Sequence, residues 1–115
     1  MRYPVIWTDG FPLKDWQGGV TIGPVIVLRP KYRNDEGIYQ HELTHVKQGL
    51  CGLFVITALL YLLVPEYRLW AEVQAYRKQM QYGLTLDLAA WRLSECDRYD
   101  LGITLEQAKA ALEDA

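Results

Sequence analysis

The chain has 115 residues, half of them apolar and four of them Trp, with a formal net charge of −2. That is the size of one domain, 1–115, with enough apolar material for a core. Charges of both signs are interspersed and no basic stretch occurs, which argues against a nucleic-acid-binding surface. Cys51 and Cys96 stand far apart, with no CxxC pairing and no disulfide framework, and are expected as two reduced thiols. Met1-Arg2-Tyr3-Pro4 lacks the apolar run of a secretory signal, so a cytoplasmic protein is expected.

The first third reads as β-rich. Val5-Ile6-Trp7 is a short apolar run closed by Asp9-Gly10. Gly18-Gly19 opens Val20-Thr21-Ile22, Gly23-Pro24 is a turn signal, and Val25-Ile26-Val27-Leu28, stopped by Pro30, is the best strand. A helix capped by Asn34 or Asp35 is expected to run to about Gly49. The segment from Cys51 to Val64 is almost wholly apolar, yet short of the roughly 20 residues a spanning helix needs. It is read as a buried helix, with an interfacial, membrane-contacting helix as the alternative. Pro65 suits the first turn of a third helix that Gly83 ends. Gly83-Leu84-Thr85 and Gly102-Ile103-Thr104 each read as a glycine, an apolar residue and a Thr cap before a helix, and Thr104 with Gln107 forms a capping box. The expected fold is α+β: a small N-terminal antiparallel or mixed β-sheet packed on four to five helices.

The two histidines of the chain both fall in His41-Glu42-Leu43-Thr44-His45. On an α-helix, positions i and i+4 share a face one turn apart, so both rings can address one ion. Glu42, one residue on, is turned aside from that pair. Its carboxylate can reach a water activated by the ion without becoming a ligand, which is the arrangement that zinc-dependent hydrolysis needs. A catalytic zinc takes three protein ligands and keeps an open fourth position. With no third histidine, an oxygen ligand must serve. Glu72 is the first choice, because an acid among Leu69, Trp70, Val73 and Tyr76 is costly to bury unless paired or metal-bound, and Ala75 lets a second helix approach. Glu66, in the first turn of its helix, is the fallback.

The pentapeptide together with Glu72-Val73-Gln74-Ala75-Tyr76 resembles the gluzincin class of zinc metallopeptidases. More narrowly, QHELTHVKQ and WAEVQAYRKQ resemble small, single-domain gluzincin-like proteins that are often encoded by phages and prophages. The likeness covers roughly residues 25–82. It implies a minimal zincin-like core, Zn2+ held by His41, His45 and Glu72, Glu42 as the general base, and a cleft edged by the Val25–Leu28 strand. Tyr76 stands where several gluzincins place an aspartate that orients a zinc-bound histidine, so that support must come from elsewhere. Tyr76, Tyr39 and Arg77 are candidates for oxyanion stabilisation, with packing as their other reading. Gln48, one turn past His45, is a candidate for hydrogen-bonding behind the ligands, or else part of a solvated helix face.

Three functions follow. The first is a zinc-dependent metallopeptidase acting on a peptide or protein, in a host cytoplasm if phage-encoded. The second is a non-catalytic zinc-stabilised binding module. The third is a membrane-associated protein anchored by the apolar helix at residues 53–64.

Overall fold

The structure is a computed structural model that describes residues 3–51 and 54–113. The side chains of Cys51, Cys96 and Asp97 lie outside that description, and with them the expectation of two free thiols. Strands β1 (Val5–Trp7), β2 (Gly19–Ile22) and β3 (Val25–Leu28) are followed by a 3-10 turn at Pro30–Tyr32 and then by helices. These are α1 (Glu36–Cys51), α2 (Val55–Leu63), α3 (Pro65–Met80), α4 (Leu86–Ser94), the single-turn α5 (Cys96–Tyr99) and α6 (Leu105–Glu113). The fold is α+β, with a mixed three-stranded sheet in the order β1-β3-β2.

β2 and β3 form a tight antiparallel hairpin across Gly23-Pro24, where Gly23 takes φ +58°. β1 pairs parallel to β3, with Val5 opposite Ile26 and Trp7 opposite Leu28. The Val25–Leu28 strand is therefore central and does not edge the cleft, contrary to expectation; β2 carries the sheet edge on the side of the cleft. The run Val25–Leu28 reads as the best strand because it is the most buried one, with Ile26, Val27 and Leu28 all nearly inaccessible. Thr21 pairs with Ile26 and Gly19 with Leu28, so these four residues share the face turned to α1. A Cβ on Gly19 would stand 2.4 Å from Leu28 Cδ2, so the missing side chain is what lets Leu28 fill that face.

Two apolar clusters divide the molecule. Ile26, Leu28, Tyr39 and Val46 join the sheet to α1. Val73, Tyr76, Ala89, Ala90, Leu93, Ala108 and Leu112 join α3, α4 and α6. α1 packs along α3 between the two clusters, and the fully buried Ala75 keeps that approach close. The caps follow the sequence. Asp35 Oδ1 accepts from Ile38 N, and Thr85 Oγ1 from Leu88 N, at 3.2 Å each. Thr104 and Gln107 make both bonds of their capping box, at 2.9 and 3.1 Å.

α2 departs from expectation. It is not buried: Val55, Ile56, Leu59, Leu60, Leu62 and Leu63 are exposed, and no residue of the helix is fully buried. The half-buried positions Phe54, Thr57, Tyr61 and Val64 form one stripe at helical spacing, so the helix lies on α3 by its less apolar face. The Phe54 ring lies against Gly49 of α1, where a Cβ would stand 2.5 Å from it. No single helix among the described residues is long and apolar enough to cross a membrane.

The second cluster depends on Leu93, which is fully buried. Leu93→Ala is expected to cost about 2–5 kcal/mol, read as a lowered urea midpoint. Thr104→Ala, which removes only a cap, is expected to cost about 1 kcal/mol in the same measurement.

Candidate metal centre

His41, Glu42, His45 and Gln48 come from successive turns of α1, and Glu72 comes from the facing turn of α3. Ligand atoms of His41, His45 and Glu72 lie within 4.8 Å of one another, so the three residues could hold a metal ion. Glu72 is 3% exposed, an environment that penalises a carboxylate without a partner. Its Oε1 lies 3.4 Å from His41 Nε2 and 3.3 Å from His45 Nε2. Among the described residues that oxygen has no hydrogen-bond partner, and neither does Nδ1 of the buried His41. An acceptor oxygen that is buried, unbonded and faced by two imidazole nitrogens is the chemistry of a cation site.

The charges agree. Burial works against ionisation of Glu72, but the facing His45 and His41 imidazoles outweigh it and hold the carboxyl well below its usual range. Burial likewise disfavours the His45 cation, yet the Glu72 carboxylate, aided by the charge of Glu42, raises that ring to about 9. Without an ion, the imidazolium neutralises the carboxylate. A cation arriving between them takes over that role and displaces the proton.

Gln48 sets the ring of His45. Its Nε2 donates to the Ala71 carbonyl at 3.1 Å, which leaves Oε1 facing His45 Nδ1 at 3.0 Å. An amide oxygen can only accept, so Nδ1 keeps its hydrogen and Nε2 of the neutral ring presents its lone pair toward Glu72. The same side chain bridges α1 and α3.

Glu42 is 6% exposed and is held from the sheet. Thr21 Oγ1 lies 2.8 Å from Glu42 Oε1 and 3.0 Å from the Glu42 carbonyl. The other carboxylate oxygen, Oε2, stands 3.9 Å from His41 Nε2, beside the three-residue group and outside it.

The remaining candidates separate. Glu66 is exposed in the first turn of α3 and takes no part in the group. Tyr76 packs its ring edge-on against His41, with centroids 4.5 Å apart, while its hydroxyl meets that of Tyr99 at 2.5 Å. It braces the histidine and does not hydrogen-bond it. Tyr39 is built into the sheet–α1 cluster, where its hydroxyl accepts from Tyr3 N, and it does not line the cleft. Arg77 borders a different hollow, with Gln40, Thr44 and Gln74. The geometry therefore offers neither Tyr39 nor Arg77 as an oxyanion donor: each lies on an element that reaches the site, but on another face of it.

Two residues absent from the sequence expectations touch the site. One is Thr21. The other is Tyr61 of α2, whose hydroxyl donates to Glu72 Oε2. Burial first, and the Glu72 charge second, push the Tyr61 phenol far up, so it stays a donor. A signal for it existed in the sequence: Thr57 and Tyr61 are the two polar side chains of VITALLYLL and stand four apart on one face. The cleft over the group has a volume of about 400 Å3 and is walled by β2 on one side and by Phe54, Thr57 and Tyr61 on the other.

No family model matches the chain, and no curated protein or solved structure matches it either.

Titration with Zn2+ at pH 7.5 is expected to fill about one site per chain and to release about one proton, because His45 is charged below about 9 in the ion-free state. Calorimetry in two buffers of different ionisation enthalpy measures the proton count. The release should fade as pH rises above 9, and Glu72→Ala should bind weakly or not at all.

Proposed function

We propose that this chain is a zinc-dependent metallopeptidase of gluzincin type, with Glu42 as the general base. The observation that carries the reading is the placement of the Glu42 carboxylate: buried, fixed by Thr21 through one oxygen, and presenting the other 3.9 Å from a ring nitrogen of the metal-binding group without joining it. A structural metal site gives no reason to bury a second carboxylate alongside three ligands, whereas hydrolysis requires a proton acceptor there.

Two imidazole nitrogens and one carboxylate oxygen are a catalytic zinc donor set, three ligands with a fourth position open. Donors about 2.0–2.1 Å from a tetrahedral ion stand roughly 3.3–3.4 Å apart; Glu72 Oε1 stands at such a distance from each histidine nitrogen, and the three ligand atoms as a set lie within 4.8 Å. Held by His41, His45 and Glu72, a zinc ion would supply Lewis acidity, lowering the pKa of water and polarising a carbonyl.

The residues of the chain do the rest. Glu42 Oε2 accepts the proton of the attacking water and returns it to the amide nitrogen as the C–N bond breaks, so that water adds across the peptide bond. Thr21 keeps Oε1 occupied, which directs Oε2 toward the reaction. Gln48 holds His45 with Nε2 free for binding. The edge of β2 offers its main chain to an extended peptide laid along the cleft.

Glu42→Gln should leave zinc content and fold intact while hydrolysis of an unstructured protein such as casein falls by at least about a hundredfold. Near wild-type turnover in that variant would refute the role of Glu42. A wild-type protein that holds zinc and cleaves nothing across a broad peptide library would favour the non-catalytic binding module.

A second reading concerns where the enzyme works. The outward face of α2 exposes six large aliphatic side chains, and no charged residue occurs from Val55 to Leu63, a surface suited to a membrane interface. Wild type is expected to co-sediment with phosphatidylcholine vesicles, and Leu59→Glu combined with Leu63→Glu is expected to stay in the supernatant. Equal sedimentation of both proteins would dismiss this reading.

A further inference from the structure

α2 is the least polar element of the chain, yet it reaches the most polar place in the fold through one side chain. Tyr61 is half-buried on a helix whose neighbouring residues Leu59, Leu60, Leu62 and Leu63 are exposed. Its ring stands edge-on to that of His45, with centroids 6.3 Å apart and planes at 85°. Its hydroxyl donates to Oε2 of Glu72. The other oxygen of the same carboxylate, Oε1, has no hydrogen-bond partner among the described residues and lies between the two histidine nitrogens. The two oxygens of Glu72 thus have different surroundings: one is engaged by a phenol, the other is left bare and aimed at the ion site.

The backbone of Tyr61 is fixed as well. Arg68 of α3 donates from Nη1 to the carbonyl of Tyr61 at 2.8 Å and to that of Leu62 at 3.3 Å. Its Nε and Nη2 donate to the carbonyls of Tyr99 at 2.7 Å and Asp100 at 3.1 Å. The guanidinium therefore ties the last turn of α2, where unsatisfied carbonyls gather, to the end of α5 and the residue after it. A short exposed helix is anchored at the turn that carries the Tyr61 hydroxyl.

We propose that Tyr61 is a positioning residue for the metal: by occupying Oε2 of Glu72 it confines the carboxylate to binding through Oε1 alone and so preserves an open coordination position. This rests on the zinc reading above. A carboxylate free on both sides can swing to chelate an ion with two oxygens, which would fill the position that water and substrate need. A hydrogen bond to the non-ligating oxygen opposes that rotation, and partners behind a ligand commonly contribute about ten- to a hundredfold in metal affinity.

The test compares wild type with Tyr61→Phe, which keeps the ring and removes the hydroxyl. Zinc affinity is measured by competition with a chromophoric chelator, and coordination by the visible d–d absorption of the Co2+-substituted proteins and by X-ray absorption of zinc-loaded wild type. The expected results are a four-coordinate wild-type site with one Glu72 oxygen bound, zinc affinity at least about tenfold weaker in Tyr61→Phe, and a weaker Co2+ band that marks a higher coordination number. Equal affinity and an unchanged Co2+ band in Tyr61→Phe would overturn the role of Tyr61 and leave the zinc site standing. So would wild-type X-ray absorption showing both oxygens of Glu72 on the metal, a result that holds even where the variant fails to fold by circular dichroism. A wild-type protein that takes up neither Zn2+ nor Co2+ would remove the metal reading and this proposal together.

Discussion

A carboxylate buried between two helices, facing two imidazoles, is the constraint on which the arrangement turns. Glu72 sits in the interface of α1 and α3, where a charge is tolerated only if something of opposite sign stands against it. With the ion absent, the His45 cation supplies that charge. With an ion bound, the ion supplies it and the ring becomes a ligand. Either way the pairing across the helix interface is preserved, so this interface carries both a packing role and a charge-balancing role. Gln48 adds a neutral bridge over the same gap, from His45 to the Ala71 carbonyl.

Around that interface the two apolar clusters have distinct tasks. The sheet–α1 cluster fixes where α1 stands relative to β2, and so brings Thr21 to Glu42. The α3–α4–α6 cluster fixes the rotation of α3, which decides that Glu72 and Tyr76 meet the histidines of α1 while Arg77 borders a separate hollow with Gln40 and Thr44. Tyr76 belongs to both descriptions: its ring packs in the second cluster and its edge braces His41. An error in either cluster would therefore reach the site through a different residue, the base in one case and the oxygen ligand in the other.

What could be read from the sequence was what depends on short-range geometry. The spacing of His41 and His45 and the offset of Glu42 follow from helical periodicity, and Asp35, Thr85 and Thr104 follow from cap chemistry. Glu72 was legible because a mid-helix acid among apolar neighbours demands a partner. Strand order was not. Val25–Leu28 has the composition of a central strand, but placing it at the cleft edge requires knowing which strand lies outermost, and that is decided by long-range pairing. Tyr39 and Arg77 kept two readings, packing and oxyanion stabilisation, for a related reason: lying on the right helix says nothing of the face until the rotation of that helix is fixed.

The exposure of α2 has the most physical content. Apolar composition predicts burial, but a nine-residue helix that is aliphatic on most sides can turn only one stripe toward a small body. The stripe turned inward is the one that carries Thr57 and Tyr61, and there the Tyr61 hydroxyl meets a buried carboxylate oxygen that an aliphatic side chain would leave without a hydrogen bond. The aliphatic residues occupy the remaining faces. The least polar helix in the chain thus turns its polar stripe to the polar site, and its exposed apolar face lies away from the hydrogen bond that engages Glu72.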